Sequence, residues 1–212
     1  GLVYGENPRN GFFSGSSFLH PELRFRMDFP SSWKAQNLPS AVVAASPQQD
    51  AAIQLTLAQG GSPTDAARQF LSQQGVQAGQ ASQETINGLP AVASYFQAQT
   101  EQGVVRGLAV FLSQGGRTYQ VLAFAPAQRY DQYDRLFRQS LGSFSQLTDP
   151  RALNIQPSRV DVVRLDRSMT LAEFNARYAS AVPLEELALI NQVGSASTPI
   201  PAGELVKRVV RG

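Results

Sequence analysis

A chain of 212 residues that is 42% hydrophobic and 16% charged, with 17 Gly and 13 Pro, carries enough apolar mass for one or two globular domains, which excludes a disordered or fibrous chain. Its net charge of +2 comes from basic residues spread thinly, without the run or stripe that a phosphate-binding surface requires, so nucleic acid is not an expected partner. With no cysteine there is no disulfide, thiolate nucleophile or Cys-ligated zinc, and no stretch approaches the ~18 to 20 consecutive apolar residues that cross a bilayer.

The chain opens on Gly1, with neither Met nor a charged-then-apolar leader, and reads as a trimmed fragment whose targeting segment lies elsewhere. Residues 1–21 are rich in Gly, Asn, Ser and Pro but include Phe12, Phe13 and Phe18, which suggests an irregular docked leader held by aromatic anchors. From Leu23 to Phe29 apolar and polar residues alternate, as in a half-buried strand, and Pro30 ends it. Two further strands are expected over Ala41 to Ala45 and Ala51 to Ala58. Ser62-Pro63-Thr64-Asp65 then offers a hydroxyl cap, a first-turn Pro and an early carboxylate, so a helix is expected until Gly75. Asn87-Gly88 is a type I′ hairpin signal ahead of a strand over Val92 to Gln99. Val104 to Leu112 is apolar on both faces, which predicts a central strand covered on both sides. Gly115-Gly116 turns into a strand over Thr118 to Ala125, and Tyr130, Tyr133, Phe137 and Leu141 recur at helical spacing up to Gly142. This order predicts an α+β domain over residues 22–147, an antiparallel sheet with helices packed on it.

Residues 148–158, with Pro150 and Pro157 and little periodicity, read as a linker. Beyond them, over 159–212, the expected order is strand, helix, helix, strand. Val160 to Leu165 opens it, Thr170-Leu171-Ala172-Glu173 is a capping box, a second helix opens at Pro183, and Glu204 to Val210 closes the unit. Charge is balanced in residues 1–150, ten basic against ten acidic, and the positive excess lies in 151–212, eight against six.

The pattern Thr170-Leu171, Phe174, Tyr178, Leu184, Leu187, Asn191, then Ile200-Pro201-Ala202-Gly203 and Leu205, resembles LysM, the βααβ module that binds N-acetylglucosamine-containing glycans. Ser168-Met169 stands where that family usually has Gly-Asp, and Val209-Val210 replaces its terminal Pro. Taken with Asn7-Pro8-Arg9-Asn10-Gly11, His20-Pro21-Glu22-Leu23-Arg24-Phe25, Trp33, Ser46-Pro47, Ile86-Asn87-Gly88-Leu89-Pro90 and Leu205-Val206-Lys207-Arg208-Val209-Val210, nearly the whole chain resembles the region C-terminal to the catalytic domain of bacterial HExxH zinc metallopeptidases. Its first domain is similar to the PsbP-like α/β fold. The resemblance implies a periplasmic or secreted location, a catalytic domain upstream in the same polypeptide as a partner, and peptidoglycan or protein substrates as further partners. It also implies glycan contacts at Ser168, Met169, Thr170, Asn191, Gln192 and Pro199.

The residues themselves offer little chemistry. A zincin needs two His one helical turn apart with a glutamate base, and this chain has only His20, so no metal or other cofactor is expected. The same shortage disfavours a Ser-His-Asp triad. Asp131 with Asp134, and Glu185 with Glu186, read as solvated helix faces, the first pair alternating with Arg135 and Arg138 as exposed ion pairs. Gly60-Gly61 and Gly115-Gly116 lack the frame of a phosphate cradle and read as turns. Trp33 could stack on a sugar or peptide but is more simply a core or seam residue. The expectation is therefore a non-catalytic region that tethers to cell-wall glycan or docks on proteins, with a purely structural or protein-interaction role as the alternative.

Overall fold

The segment read as a docked leader is divided, and most of it is sheet. Strands β1 (Phe12–Ser14) and β2 (Ser17–His20) form a hairpin that pairs with β3 (Phe25–Asp28), and Phe18 is buried at its centre. Three- and four-residue strands around a Gly-Ser turn are too short to show a period, and their composition alone resembles a loop. Residues 1–9 belong elsewhere. The computed structural model, which describes residues 1–212, divides into residues 10–153 and a second unit in which residues 1–9 join residues 154–212.

In the larger unit, β12 (Ser145–Gln146) completes a four-stranded sheet, β1-β2-β3-β12. The main antiparallel sheet runs β4 (Lys34–Asn37), β5 (Val42–Ala45), β6 (Ala52–Leu57), β11 (Arg117–Pro126), β10 (Gly103–Gln114) and β9 (Leu89–Thr100). Beyond β9 the edge is shared by β7 (Val76–Ala78) and β8 (Ser82–Ile86), which pair with different stretches of it. Strand β10 is central and covered on both faces, as its composition predicts. Leu108, Val110 and Leu112 enter a core with Phe25, Met27 and helix α2 (Tyr130–Leu141), whereas Ala109 and Phe111 enter a second core under helix α1 (Pro63–Leu71).

Local signals set the element ends. The Ser62 side chain accepts the Asp65 N–H at 3.1 Å and Pro63 follows it, so α1 begins where the cap satisfies a free donor. Asn87 and Gly88 both have positive φ, +50° and +80°, as the β8–β9 turn requires. The Asn87 side chain also donates to the carbonyls of Gly142 and Phe144 at 3.0 and 2.8 Å, which fastens this hairpin to the end of α2. The proposed linker is not one continuous loop. Helix α3 (Pro150–Leu153), with Ala152 buried, belongs to the larger unit, and the remaining residues begin the smaller one.

The smaller unit pairs β13 (Arg159–Arg164) with β14 (Leu205–Val210), and the intervening chain supplies α4 (Leu171–Arg177) and α5 (Leu184–Ile190). The Thr170 capping box forms in full. Leu165, Met169, Leu171, Phe174, Leu187 and Val206 fill the core. The first residues of the chain extend the sheet, with Val3 opposite Arg159 and the Val160 N–H donating to Leu2 at 2.8 Å. About sixty residues make a marginal core, and this added segment enlarges it. No helix of the chain is long and apolar enough to cross a membrane.

Candidate functional site

The six residues that the sequence singles out for a ligand lie on two loops that the smaller unit brings together. Met169 and Ile200 exchange backbone hydrogen bonds of 3.1 and 2.8 Å, and the Ala172 N–H donates to Ala196 at 3.1 Å, so the segment before α4 lies against the segment after α5. Within that arrangement the six part company. Met169 is a core residue at 3% exposure. Thr170 is the cap of α4, its hydroxyl accepting the Glu173 N–H at 3.1 Å. Asn191 is a clamp on β14, donating to the Lys207 carbonyl at 2.9 Å and accepting the Lys207 N–H at 2.8 Å while also donating to Leu187 at 3.0 Å. Only Ser168, Gln192 and Pro199 are exposed, Gln192 with a left-handed φ of +56°.

The titratable groups considered for chemistry are also tied into the fold. The Nδ1 of His20 accepts the Leu23 N–H at 3.0 Å and its ring stacks on Phe25 with centroids 5.5 Å apart. Burial lowers its pKa below the ordinary 6.5, which favours the neutral ring. No cluster of three or more His, Asp or Glu side chains is placed to share a metal ion. Asp131 is exposed and lies 3.9 Å from Arg106. Asp134 has a different role from the exposed helix face expected of it. It accepts the Tyr130 and Tyr95 hydroxyls at 2.7 and 3.1 Å as well as the Arg138 Nε at 2.9 Å. Partial burial works to raise its pKa, but these three donors outweigh burial and hold it below 3.8. The Arg106 guanidinium lies 5.4 and 4.9 Å from the centres of the Tyr95 and Tyr130 rings. Glu186 accepts the Tyr4 hydroxyl, which holds the first residues of the chain to α5. Trp33 meets Tyr133 and Phe137 edge-on at 5.9 and 6.2 Å, at the margin of the core.

One cluster had no sequence signal. Asp50 accepts the Tyr133 hydroxyl, the Ser46 hydroxyl at 2.8 Å and the Arg129 guanidinium at 3.2 Å, tying the β5–β6 turn to α2. The Tyr133 hydroxyl is the main cause that brings its pKa down to about 2. Ser46 is only four residues away, but Arg129 and Tyr133 lie some eighty residues along the chain, beyond any local pattern.

Two openings in the larger unit flank the β8–β9 hairpin. On the α2 side is a cleft of about 410 Å³ with a floor of Ile86, Ala93, Leu108, Val110 and Leu141, and with Glu84 and Arg138 at its lips. On the opposite face of the same hairpin is a more polar cleft of about 480 Å³ bounded by Pro63, Thr64, Gln83, Thr85 and Pro90. A third opening, also about 410 Å³, lies between Phe13, Phe29, Trp33 and the Ser31-Ser32 turn. Clefts of this size with an apolar floor and a few polar groups at the mouth are the usual form of ligand-binding and active sites alike.

No protein-family model matches the sequence, and no curated protein matches it. Among solved structures the chain is similar to the cyanobacterial PsbP (CyanoP) from Synechocystis, with a TM-score of 0.50 and 17% identity over 64% of this chain and 95% of that one. The fold is PsbP-like. Only residues 10–153 form a unit large enough to supply that match, so the PsbP-like fold is that of the larger unit. A Bacteroides thetaiotaomicron protein is similar at a TM-score of 0.47 and 16% identity over 85% of this chain, which spans 62% of that protein. LpqN, involved in cell envelope biogenesis of Mycobacterium tuberculosis, is similar at 0.40 and 14% identity over 58% of this chain and 83% of its own.

Proposed function

We propose that this chain is the non-catalytic accessory region of an extracytoplasmic bacterial zinc peptidase and that it docks on protein, either the catalytic domain or its substrates. The observation that carries this reading is the commitment of its candidate reactive groups to the fold. His20 caps a turn, Asp134 and Asp50 each gather three donors, and Glu186 holds Tyr4. A general base needs a free lone pair aimed at an open site, and these groups have partners already. The cleft between the β8–β9 hairpin and α2 is instead floored by apolar side chains. The resemblance to regions that follow HExxH catalytic domains supplies the context: the catalytic metal site would belong to that other domain, and the location would be periplasmic or secreted. The test is sedimentation of the full chain with a separately produced HExxH polypeptide of the same reading frame. A complex is expected, and free migration of both species would refute docking on that domain.

A second reading has its own support. Ser168, Gln192 and Pro199 are exposed on loops joined through Met169 and Ile200, an arrangement compatible with a LysM-like unit reading acetamido groups of peptidoglycan. Met169, Thr170 and Asn191 are occupied structurally, which leaves three of the six contacts and favours protein docking over glycan tethering. Retention on insoluble peptidoglycan above that of a control protein is the result that would reverse this preference.

A further inference from the structure

The chain holds the dipeptide Asn-Gly twice, as Asn10-Gly11 and Asn87-Gly88. Asn is thermolabile beside Gly, because a glycine has no side chain to shield its backbone nitrogen from the neighbouring carboxamide carbon. By sequence the two sites are equivalent. Both asparagines are exposed, and the glycine that follows has a positive φ in each case, +102° at Gly11 and +80° at Gly88. At Gly11 an added Cβ would also lie 2.3 and 2.8 Å from ring atoms of Phe18, so a larger residue does not fit there.

The fold treats the two carboxamides differently. The Asn87 Nδ2 donates to the Gly142 and Phe144 carbonyls at 3.0 and 2.8 Å, and its backbone is set by a tight turn whose flanking residues, Ile86 and Leu89, pair with each other. Asn10 ends a short 3-10 turn, Pro8–Asn10, and its side chain has no hydrogen-bond partner in the protein. Its restraint is on the backbone, where the Asn37 side chain donates to the carbonyls of Asn10 and Gly11 at 3.1 and 3.2 Å. Ring closure requires the carboxamide carbon to turn toward the next backbone nitrogen. The Asn10 side chain breaks no bond in turning. Asn87 must first give up two hydrogen bonds, which lowers its reactive population at least about fivefold.

We propose that Asn10 is a self-modification site, converting through a succinimide to isoaspartate or aspartate, while Asn87 is spared by its bonds to the end of α2. The Gly11 backbone nitrogen forms a bond to the Asn10 Cγ, the Cγ–Nδ2 bond breaks, and the amide leaves as ammonia with the proton from the Gly11 nitrogen. Water then opens the ring, its hydroxyl joining one carbonyl carbon and its proton returning to the nitrogen. Opening at the side-chain carbonyl leaves aspartate. Opening at the backbone carbonyl leaves isoaspartate, whose main chain runs through Cβ and Cγ. The reaction needs no partner but water. Isoaspartate lengthens the backbone directly before Gly11, which has no room against Phe18, and the two carbonyls bridged by Asn37 cease to be successive along the chain. Asn37 is the last residue of β4, an edge strand that pairs only with β5, so the modification loosens that edge.

The test ages the full chain in mildly alkaline buffer made with water enriched in heavy oxygen, and peptide mapping by mass spectrometry then follows label at each site. A parallel sample in urea gives the intrinsic rate of each dipeptide. Both sites are expected to convert at similar rates in urea. In the folded chain Asn10 converts, and Asn87, relative to its own rate in urea, is slowed at least about fivefold more than Asn10. Asn37→Ala, which frees the backbone at Asn10 and Gly11, should speed conversion at Asn10 and leave Asn87 unchanged. Amide exchange across β4 should quicken in the aged wild type but not in an equally aged Asn10→Ala chain, which cannot form the ring. Trp33 fluorescence checks that both variants remain folded. Conversion of Asn87 as fast as Asn10 in the folded chain, or an unmodified Asn10 after the urea sample has converted, overturns the proposal. Equal acceleration of both sites in a folded Asn37→Ala chain overturns it too, as does β4 exchange that is the same in aged wild type and aged Asn10→Ala.

Discussion

Replacing Asn87 separates two contributions that the structure places on one residue. Its side chain makes two hydrogen bonds to carbonyls at the end of α2, and its backbone sits at φ +50°, where a side chain with a Cβ is strained and Asn is among the better tolerated. Asn87→Gly keeps the backbone free and loses only the two bonds, each worth about 0.5 to 1.5 kcal/mol, so the loss is about 1 to 3 kcal/mol. Asn87→Ala adds the left-handed penalty of roughly 1 kcal/mol, for a total of about 2 to 4 kcal/mol. Asn87→Asp preserves the tolerance for positive φ but points an acceptor at two acceptors, and should cost at least as much as Gly. Urea unfolding followed by Trp33, the only tryptophan and one that packs on Tyr133 and Phe137, reports the larger unit without confusion from the smaller. Equal losses for Gly and Ala would refute the backbone argument. Losses below about 0.5 kcal/mol for all three would refute the claim that this side chain fastens the hairpin.

Other consequences are as direct. Because the Asp50 pKa is depressed to about 2, its contribution to stability is complete above the ordinary carboxylate range near 3.8 and is lost as pH falls toward 2. Asp50→Asn should therefore flatten the acid limb of a Trp33-monitored pH titration, and an unchanged limb would contradict the role given to Tyr133 and Ser46. Gly107 on β10 lies beneath Phe96, where an added Cβ would come within 2.4 Å of the ring and 2.7 Å of the Ala123 carbonyl. Gly107→Ala should then destabilise the larger unit by about 1 to 3 kcal/mol in urea. In the smaller unit, Asn191→Ala should cost about 1.5 to 4.5 kcal/mol through three lost bonds, whereas exposed Gln192→Ala should change stability by less than about 0.5 kcal/mol; amide exchange across β14 distinguishes them.

Much of the architecture is legible in the chain wherever a signal is local. The Ser62 cap, the Thr170 capping box, Asn87-Gly88 and the two-faced apolar run of β10 each correspond to the element they suggest, because the physics that makes the signal acts within a few residues. Strand β8 carries no alternation because four of its five residues are exposed, and a strand with neither face covered has no reason to alternate. The β1–β2 hairpin is hidden for a different reason: only Phe18 of its residues is fully buried, and a single anchor does not define a period. Of the six residues proposed for ligand contact, the loop placement was legible but the individual roles were not. Whether Asn191 reads a ligand or clamps β14 depends on Lys207, which lies sixteen residues away. Likewise the helical spacing of Asp134 and Arg138 anticipates their 2.9 Å contact, while the two tyrosine hydroxyls on the same carboxylate arise from the packing of β9 and α2.

In the function we propose, this polypeptide holds a partner and leaves bond cleavage to another domain. Incubation of the full chain with an unfolded protein substrate and added zinc, followed by mass spectrometry of the products, tests it most directly. Intact substrate is expected at every time point, with or without chelator. Fragments that appear with this chain and vanish when zinc is removed would contradict it.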